Sequence, residues 1–152
     1  MKRKFLFYIL SLIGLYSCHP LVCFWSFGYE QIIELNPEDI VHGNYELTKE
    51  SLNFIQSEDY KGTCQLQLFE NGTFVLTDAP DFMFNDFGEN KGQILDKTGK
   101  WHVSSYPQSH HLIELENIFV RALCRKDEGP IAIPIEIGDG DFCEGIVFVR
   151  SK

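Results

Sequence analysis

The sequence predicts an all-β protein, a small antiparallel barrel or sandwich of about eight or nine strands. Short runs of alternating apolar and polar residues recur from Gly43 to Arg150, turn signals divide them, and no helical periodicity lasts beyond about two turns. These three observations define the class, and each element follows from its own residues.

The chain opens with Met1 to Cys18, MKRKFLFYILSLIGLYSC, in which Lys2, Arg3 and Lys4 precede an apolar run from Phe5 to Tyr16. A basic head, an apolar stretch and a small-residue close are the parts of an export signal. Two other fates stay open: an uncleaved membrane-spanning segment over Phe5 to Phe27, and secretion without lipid. All three put the bulk of the chain outside the cytoplasm. The organisation that follows is a signal peptide over residues 1–17, a membrane-proximal tether over 18–35 and a β domain over 36–152.

Without the signal the chain keeps roughly 135 residues, enough for one domain with a real core. It then holds 10 basic and 22 acidic residues, because the signal takes three of the 13 basic residues and none of the acidic ones. Such a surface repels phosphate backbones, so nucleic acid is excluded as a partner.

In the tether, Phe24, Trp25 and Phe27 suit either the headgroup layer of a bilayer or packing on the domain. Asn36-Pro37-Glu38-Asp39-Ile40 predicts a short helical turn, with Asn36 as cap and Pro37 at the first position. Gly43 to Thr48 alternates as a strand with Tyr45 and Leu47 on one face, and Ser51 to Ser57 is a possible second strand. Gln65 to Glu70 and Thr73 to Thr77 flank Asn71-Gly72, which predicts a hairpin through a type I′ turn.

Asp78 to Asn90 is one long irregular excursion. Gly99 to Ser105 and His111 to Leu115 then pair in a definite register: a five-residue loop sets Val103 against Ile113 and Trp101 against Leu115, with all four on the buried face. Ile118 to Cys124 reads as a further strand. Pro134 within Ile131 to Ile137 argues for an edge or a bulge, and Gly145 to Arg150 closes the domain.

Two resemblances rest on quoted residues. Leu15-Tyr16-Ser17-Cys18 resembles the lipobox of bacterial lipoproteins, which implies that Cys18 becomes the mature N-terminus and carries the lipid anchor. Gly43-Asn44-Tyr45 after a turn, Asn71-Gly72-Thr73-Phe74, Gly99-Lys100-Trp101, and Ile137-Gly138-Asp139-Gly140-Asp141 followed by Ile146-Val147-Phe148 resemble the lipocalin-like domains of bacterial lipoproteins, particularly small ones of the Bacteroidota. Tyr45 stands where that family carries tryptophan. The resemblance implies a small β-barrel in the cell envelope, with the outer membrane preferred because His19 follows the cysteine.

Three groups of residues are candidates for function. Asp78, Asp81, Asp86 and Glu89 interleave with Phe82, Met83, Phe84 and Phe87, which predicts either a ligand- or partner-binding loop at the barrel mouth or a plug folded back over it. Asp139, Asp141 and Glu144 suit a hard cation, but a tight turn using Gly138 and Gly140 explains the same residues and is the preferred reading. His102, His110 and His111 need not converge. Of the remaining cysteines, Cys124 and Cys143 are the predicted disulfide pair, with buried free thiols as the other outcome.

The expected function is a non-catalytic, lipid-anchored binding domain for a small apolar ligand or an envelope component, with no cofactor. Other classes are an acidic protein-interaction or inhibitor lipoprotein and a metal-dependent hydrolase. No nucleophile elbow, phosphate loop or HExxH zinc motif is present in the sequence.

Overall fold

The computed structural model describes residues 23–84, 88–106, 110–139 and 143–151. The signal segment and Cys18 lie outside the described residues. So do Asp86, Phe87 and Asp141.

The fold is all-β, and among the described residues ten strands form a nearly closed barrel: β1 (Tyr29–Gln31), β2 (Gly43–Leu47), β3 (Gln65–Leu68), β4 (Thr73–Pro80), β5 (Ile94–Tyr106), β6 (His110–Leu115), β7 (Phe119–Ala122), β8 (Cys124–Lys126), β9 (Ile131–Glu136) and β10 (Gly145–Arg150). From β2 onward every strand except β7 pairs antiparallel with its successor. β7 and β8 are two parts of one path, divided at Leu123: β7 pairs with β6 and β8 pairs with β9. β10 returns to pair with β2. The path is therefore an eight-stranded up-and-down meander, with β1 added beside β8. Its connections alternate ends, so β2–β3, β4–β5 and β9–β10 share one end while the β3–β4 hairpin lies at the other.

The β5–β6 register is Val103 against Ile113 and Trp101 against Leu115, as the alternation predicts. Other local readings are corrected. Ser51 to Ser57 is not a strand but part of a helix, α1 (Lys49–Ser57). Thr48 caps it by accepting from Ser51 N, and Ser51 and Ile55, four residues apart, are buried on one face. The helix forms where β10 outruns β2: Thr48 N donates to Val147 O, and Val147 N donates to Ser51 Oγ at 2.8 Å. Helix α1 thus satisfies backbone groups that a neighbouring strand would otherwise take.

Asn36 to Asp39 is a hydrogen-bonded turn rather than a helical one, closed by Asp39 N on Asn36 O and by Asn36 N on the Asp39 carboxylate. The Asp39 carboxylate also pairs with Arg125 of β8, and these contacts hold its pKa below the ordinary value against the opposing effect of burial.

The β3–β4 hairpin has Phe69 N bonded to Thr73 O, with positive φ at Gly72 and not at Asn71. It is a longer loop ending in a glycine bulge, not a two-residue type I′ turn. Asn71 still organises it, because its Oδ1 accepts from both Thr73 N and Thr73 Oγ1.

Pro134 lies in β9 opposite Val147. Val147 directs its N–H and C=O toward α1, so this is a non-hydrogen-bonded pair, and the missing N–H of Pro134 points to the other side of β9. That side pairs with β8 only at Ile131 and Ala132. The sequence argument for a local edge is correct.

The barrel interior is filled. Tyr45, Leu66, Leu68, Phe74, Leu76, Ile113, Leu115, Ile133, Ile135, Ile146 and Phe148 are each no more than 2% exposed, which leaves no room beside them for a water-sized probe. An eight-stranded barrel is narrow enough for side chains to do this. Tyr45 is anchored by its hydroxyl, which donates to Val41 O at 2.6 Å, and burial raises its pKa. Phe74 lies against Gly99, where an added Cβ would come within 2.9 Å of the ring.

Residues 23–35, read from sequence as a tether, carry structure. A 3-10 turn, Phe24–Ser26, packs against β10, β1 pairs with β8, and Ile32 is buried. Ile32 N donates to Leu123 O while Ile32 O accepts from His111 N. The segment therefore covers the place where the β7–β8 path passes from β6 to β9. Trp25 lies flat on Gly145, whose absent Cβ would meet the indole at 2.4 Å. Phe27, by contrast, is 65% exposed.

Candidate functional site

The β4–β5 connection builds one end of the barrel. A register shift between Leu76 and Ala79 leaves Asp78 at φ 51°. Asp78 N donates to Asp96 Oδ1, its carbonyl accepts from the Tyr60 hydroxyl, and its carboxylate accepts from Thr63 Oγ1. The bulge redirects the chain. A second 3-10 turn, Asp81–Phe84, follows it within the β4–β5 connection.

Phe82 is buried in the core, while Met83 and Phe84 are half-buried against it. The Lys97 ammonium stands 5.5 Å from the centre of the Phe84 ring. The described apolar side chains of the loop thus fold back on the core, as those of a plug do. Asp81 is 8% exposed: its N–H donates to Gln93 O, and its Oδ2 accepts from Lys91 N. Its Oδ1 is buried with no hydrogen-bond partner among the described residues.

Beside the plug is a cleft of about 510 Å³ between the residues after α1 and the β4–β5 connection. Tyr60, Pro80, Phe82 and Ile94 give it apolar walls, and Glu58, Asp59 and Lys61 give it a charged rim. Asn90 Nδ2 donates to Glu58 O at 2.7 Å and ties the two sides together. Ile94 is 51% exposed, an aliphatic side chain left open to solvent at the cleft margin.

Behind the wall, the Tyr60 hydroxyl accepts from Cys64 N at 3.1 Å, and burial raises its pKa. Burial, with a smaller contribution from the Asp78 charge, pushes the Cys64 thiol up to about 12. Burial likewise pushes the Cys124 thiol up to about 11. Burial therefore holds both as thiols at neutral pH.

The two acidic stretches singled out from the sequence meet at this end. Gly88, within the first, packs on Ile137 and Gly138 at the start of the second. Ile137 N donates to Glu144 O at 3.0 Å, closing the β9–β10 connection, and Asp139 and Glu144 are exposed. Among the described residues no group of three His, Cys, Asp or Glu side chains is arranged to hold a metal ion. The histidines do not converge: His102 is exposed beside Glu114 at 3.4 Å, and His111 Nδ1 bonds the Ser105 hydroxyl.

The predicted Cys124–Cys143 disulfide is replaced by Cys23–Cys143, and Cys124 is a buried free thiol. Cys124 faces Ala132 and Gln31 in the β8 ladders, whereas Cys143 lies in the β9–β10 connection at the far end of β9. Spacing between late strands misses this, because the partner is 120 residues away in sequence. Gly145 and Ser51 carry no such signal in the sequence, each gaining its role from a distant contact, whereas Trp25 takes the domain-packing alternative.

No helix among the described residues is long and apolar enough to cross a membrane. Comparison with protein-family models, curated proteins and solved structures gives no match.

Proposed function

We propose that this chain is a lipid-anchored protein of the bacterial cell envelope, non-catalytic, that binds an envelope component at the plugged end of its barrel rather than a ligand inside it. The packed interior carries the reading, since side chains at 2% exposure or less leave no room among them for a guest. The cleft beside the plug has the volume and the apolar lining with polar rim that suit a small ligand or a short apolar segment. Its margin includes Glu58 and Asp59, which favour a partner with a cationic flank. The lipobox-like close at Cys18 supports the anchor, and the outer membrane is the preferred site.

Two measurements test this. The mass of the N-terminal peptide from the native host should correspond to Cys18 carrying diacylglycerol and an acyl chain, and Cys18→Ala should leave unprocessed precursor. A photo-reactive residue at Gln93 should give a defined adduct in cells, and one at Glu70 in the opposite hairpin should not. An unmodified mature N-terminus would refute the anchor, and identical adducts from both positions would refute the site.

A further inference from the structure

The Cys23–Cys143 disulfide joins the N-terminal segment to the β9–β10 connection, which the meander places at the same barrel end as the plug and cleft. Cys23 is five residues after Cys18. A fully extended chain of that length spans at most about 18 Å. A residue fixed covalently to the barrel is therefore held within that distance of the acylated cysteine. Trp25 on Gly145 and the β1–β8 pairing keep the following residues down as well, so no free chain remains to lengthen the connection. Phe27, four residues past Cys23, turns an exposed ring outward. Aromatic rings in that situation are favoured at the headgroup level of a bilayer.

We propose that this disulfide fastens the plugged end of the barrel against the membrane holding Cys18, so that the end carrying the cleft faces the bilayer surface. The inference rests on the lipid-anchored reading above and adds to it an orientation. The tether is a geometric device: a flexible linker of about 20 residues would let the barrel roam roughly 25 Å and face any direction. The five residues here do not.

The chain's two tryptophans report on this directly. Trp25 lies on β10 beside the disulfide-bonded connection, whereas Trp101 donates its indole N–H to Phe69 O in the hairpin at the other end. The lipidated full-length protein is reconstituted in phosphatidylcholine vesicles containing a dansyl-headgroup lipid, and energy transfer from tryptophan is measured. Trp101→Phe isolates Trp25, and the difference from the unsubstituted protein gives Trp101, so no variant of the packed Trp25 is needed. Transfer from Trp25 is expected to exceed that from Trp101 several-fold, and a Gly/Ser insertion of about 20 residues after His19 should abolish the difference. Equal transfer in the lipidated chain would overturn the orientation alone. Strong Trp25 transfer that survives the insertion would show the barrel surface binding by itself and overturn the tether. A chain without lipid on Cys18 and absent from membranes would remove both this inference and the reading beneath it.

Discussion

Truncating Phe74 to alanine should destabilise the domain by about 3–5 kcal/mol and create a binding cavity where the native barrel has none. Phe74 is 1% exposed. Burying an aromatic side chain of this kind removes about 150–250 Å² from water, worth roughly 4–6 kcal/mol at about 25 cal/mol per Å². Alanine retains part of that area, and a compact unfolded chain already buries some of it, which lowers the figure. Relaxation of the neighbours is restricted because the ring rests against the backbone of β5 at Gly99, where even a Cβ would come within 2.9 Å. A main-chain wall cannot collapse into the space as a side chain can, so the upper half of the range is expected.

The assay is urea unfolding followed by far-UV circular dichroism, repeated with benzene. Native protein should show no shift in midpoint with benzene, and the variant should regain stability, since an apolar cavity of this kind stays dry and accepts small aromatic guests. A loss below about 1 kcal/mol, or benzene stabilisation of the native protein, would refute the filled-barrel argument and return the ligand to the interior.

Three further outcomes follow from the same structure. Ser51→Ala should cost about 1–3 kcal/mol, because it strands the buried Val147 N–H that now donates to Ser51 Oγ, and amide exchange at Val147 should accelerate; unchanged exchange would count against the helix docking described. Alkali should weaken the fold. Cys64 and Cys124 have folded pKa values raised above the ordinary thiol value, so the folded state holds protons that the unfolded state releases. Their contribution is complete below about pH 9 and is lost as pH rises through about 11 for Cys124 and about 12 for Cys64. The urea midpoint should fall steadily above about pH 9, less steeply in Cys124→Ala, and a flat profile would show the thiols to be solvated. Cys143→Ser opens a loop closed across 120 residues of sequence separation, for which about 2–5 kcal/mol of stability should be lost on denaturation under non-reducing conditions; equal stability of variant and parent would show that the bond only positions the N-terminus.

The sequence by itself determined the class and much of the ladder. Alternation at Trp101, Val103, Ile113 and Leu115 fixed one hairpin register, since a one-residue slip of β6 would turn Ile113 and Leu115 to the face opposite Trp101 and Val103. Pro134 reported a missing donor, and Tyr45 a buried face. Local chemistry also suggested that the aromatic loop from Asp78 would fold back, because Phe82 and its neighbours have no use in water. What failed was whatever depends on a distant partner. Ser51, Leu52, Asn53 and Phe54 alternate like a strand, yet the unpaired edge at Val147 and the Thr48 cap made them a helix. Cys23 and Cys143, Trp25 and Gly145, and the two acidic stretches joined at Gly88 are pairs whose spacing along the chain carries no trace of their meeting. Periodicity is set by each residue's own backbone and is legible locally; cystine pairing, the filling of the barrel and the placing of the cleft depend on which surfaces closure brings together, and only the tertiary structure decides that.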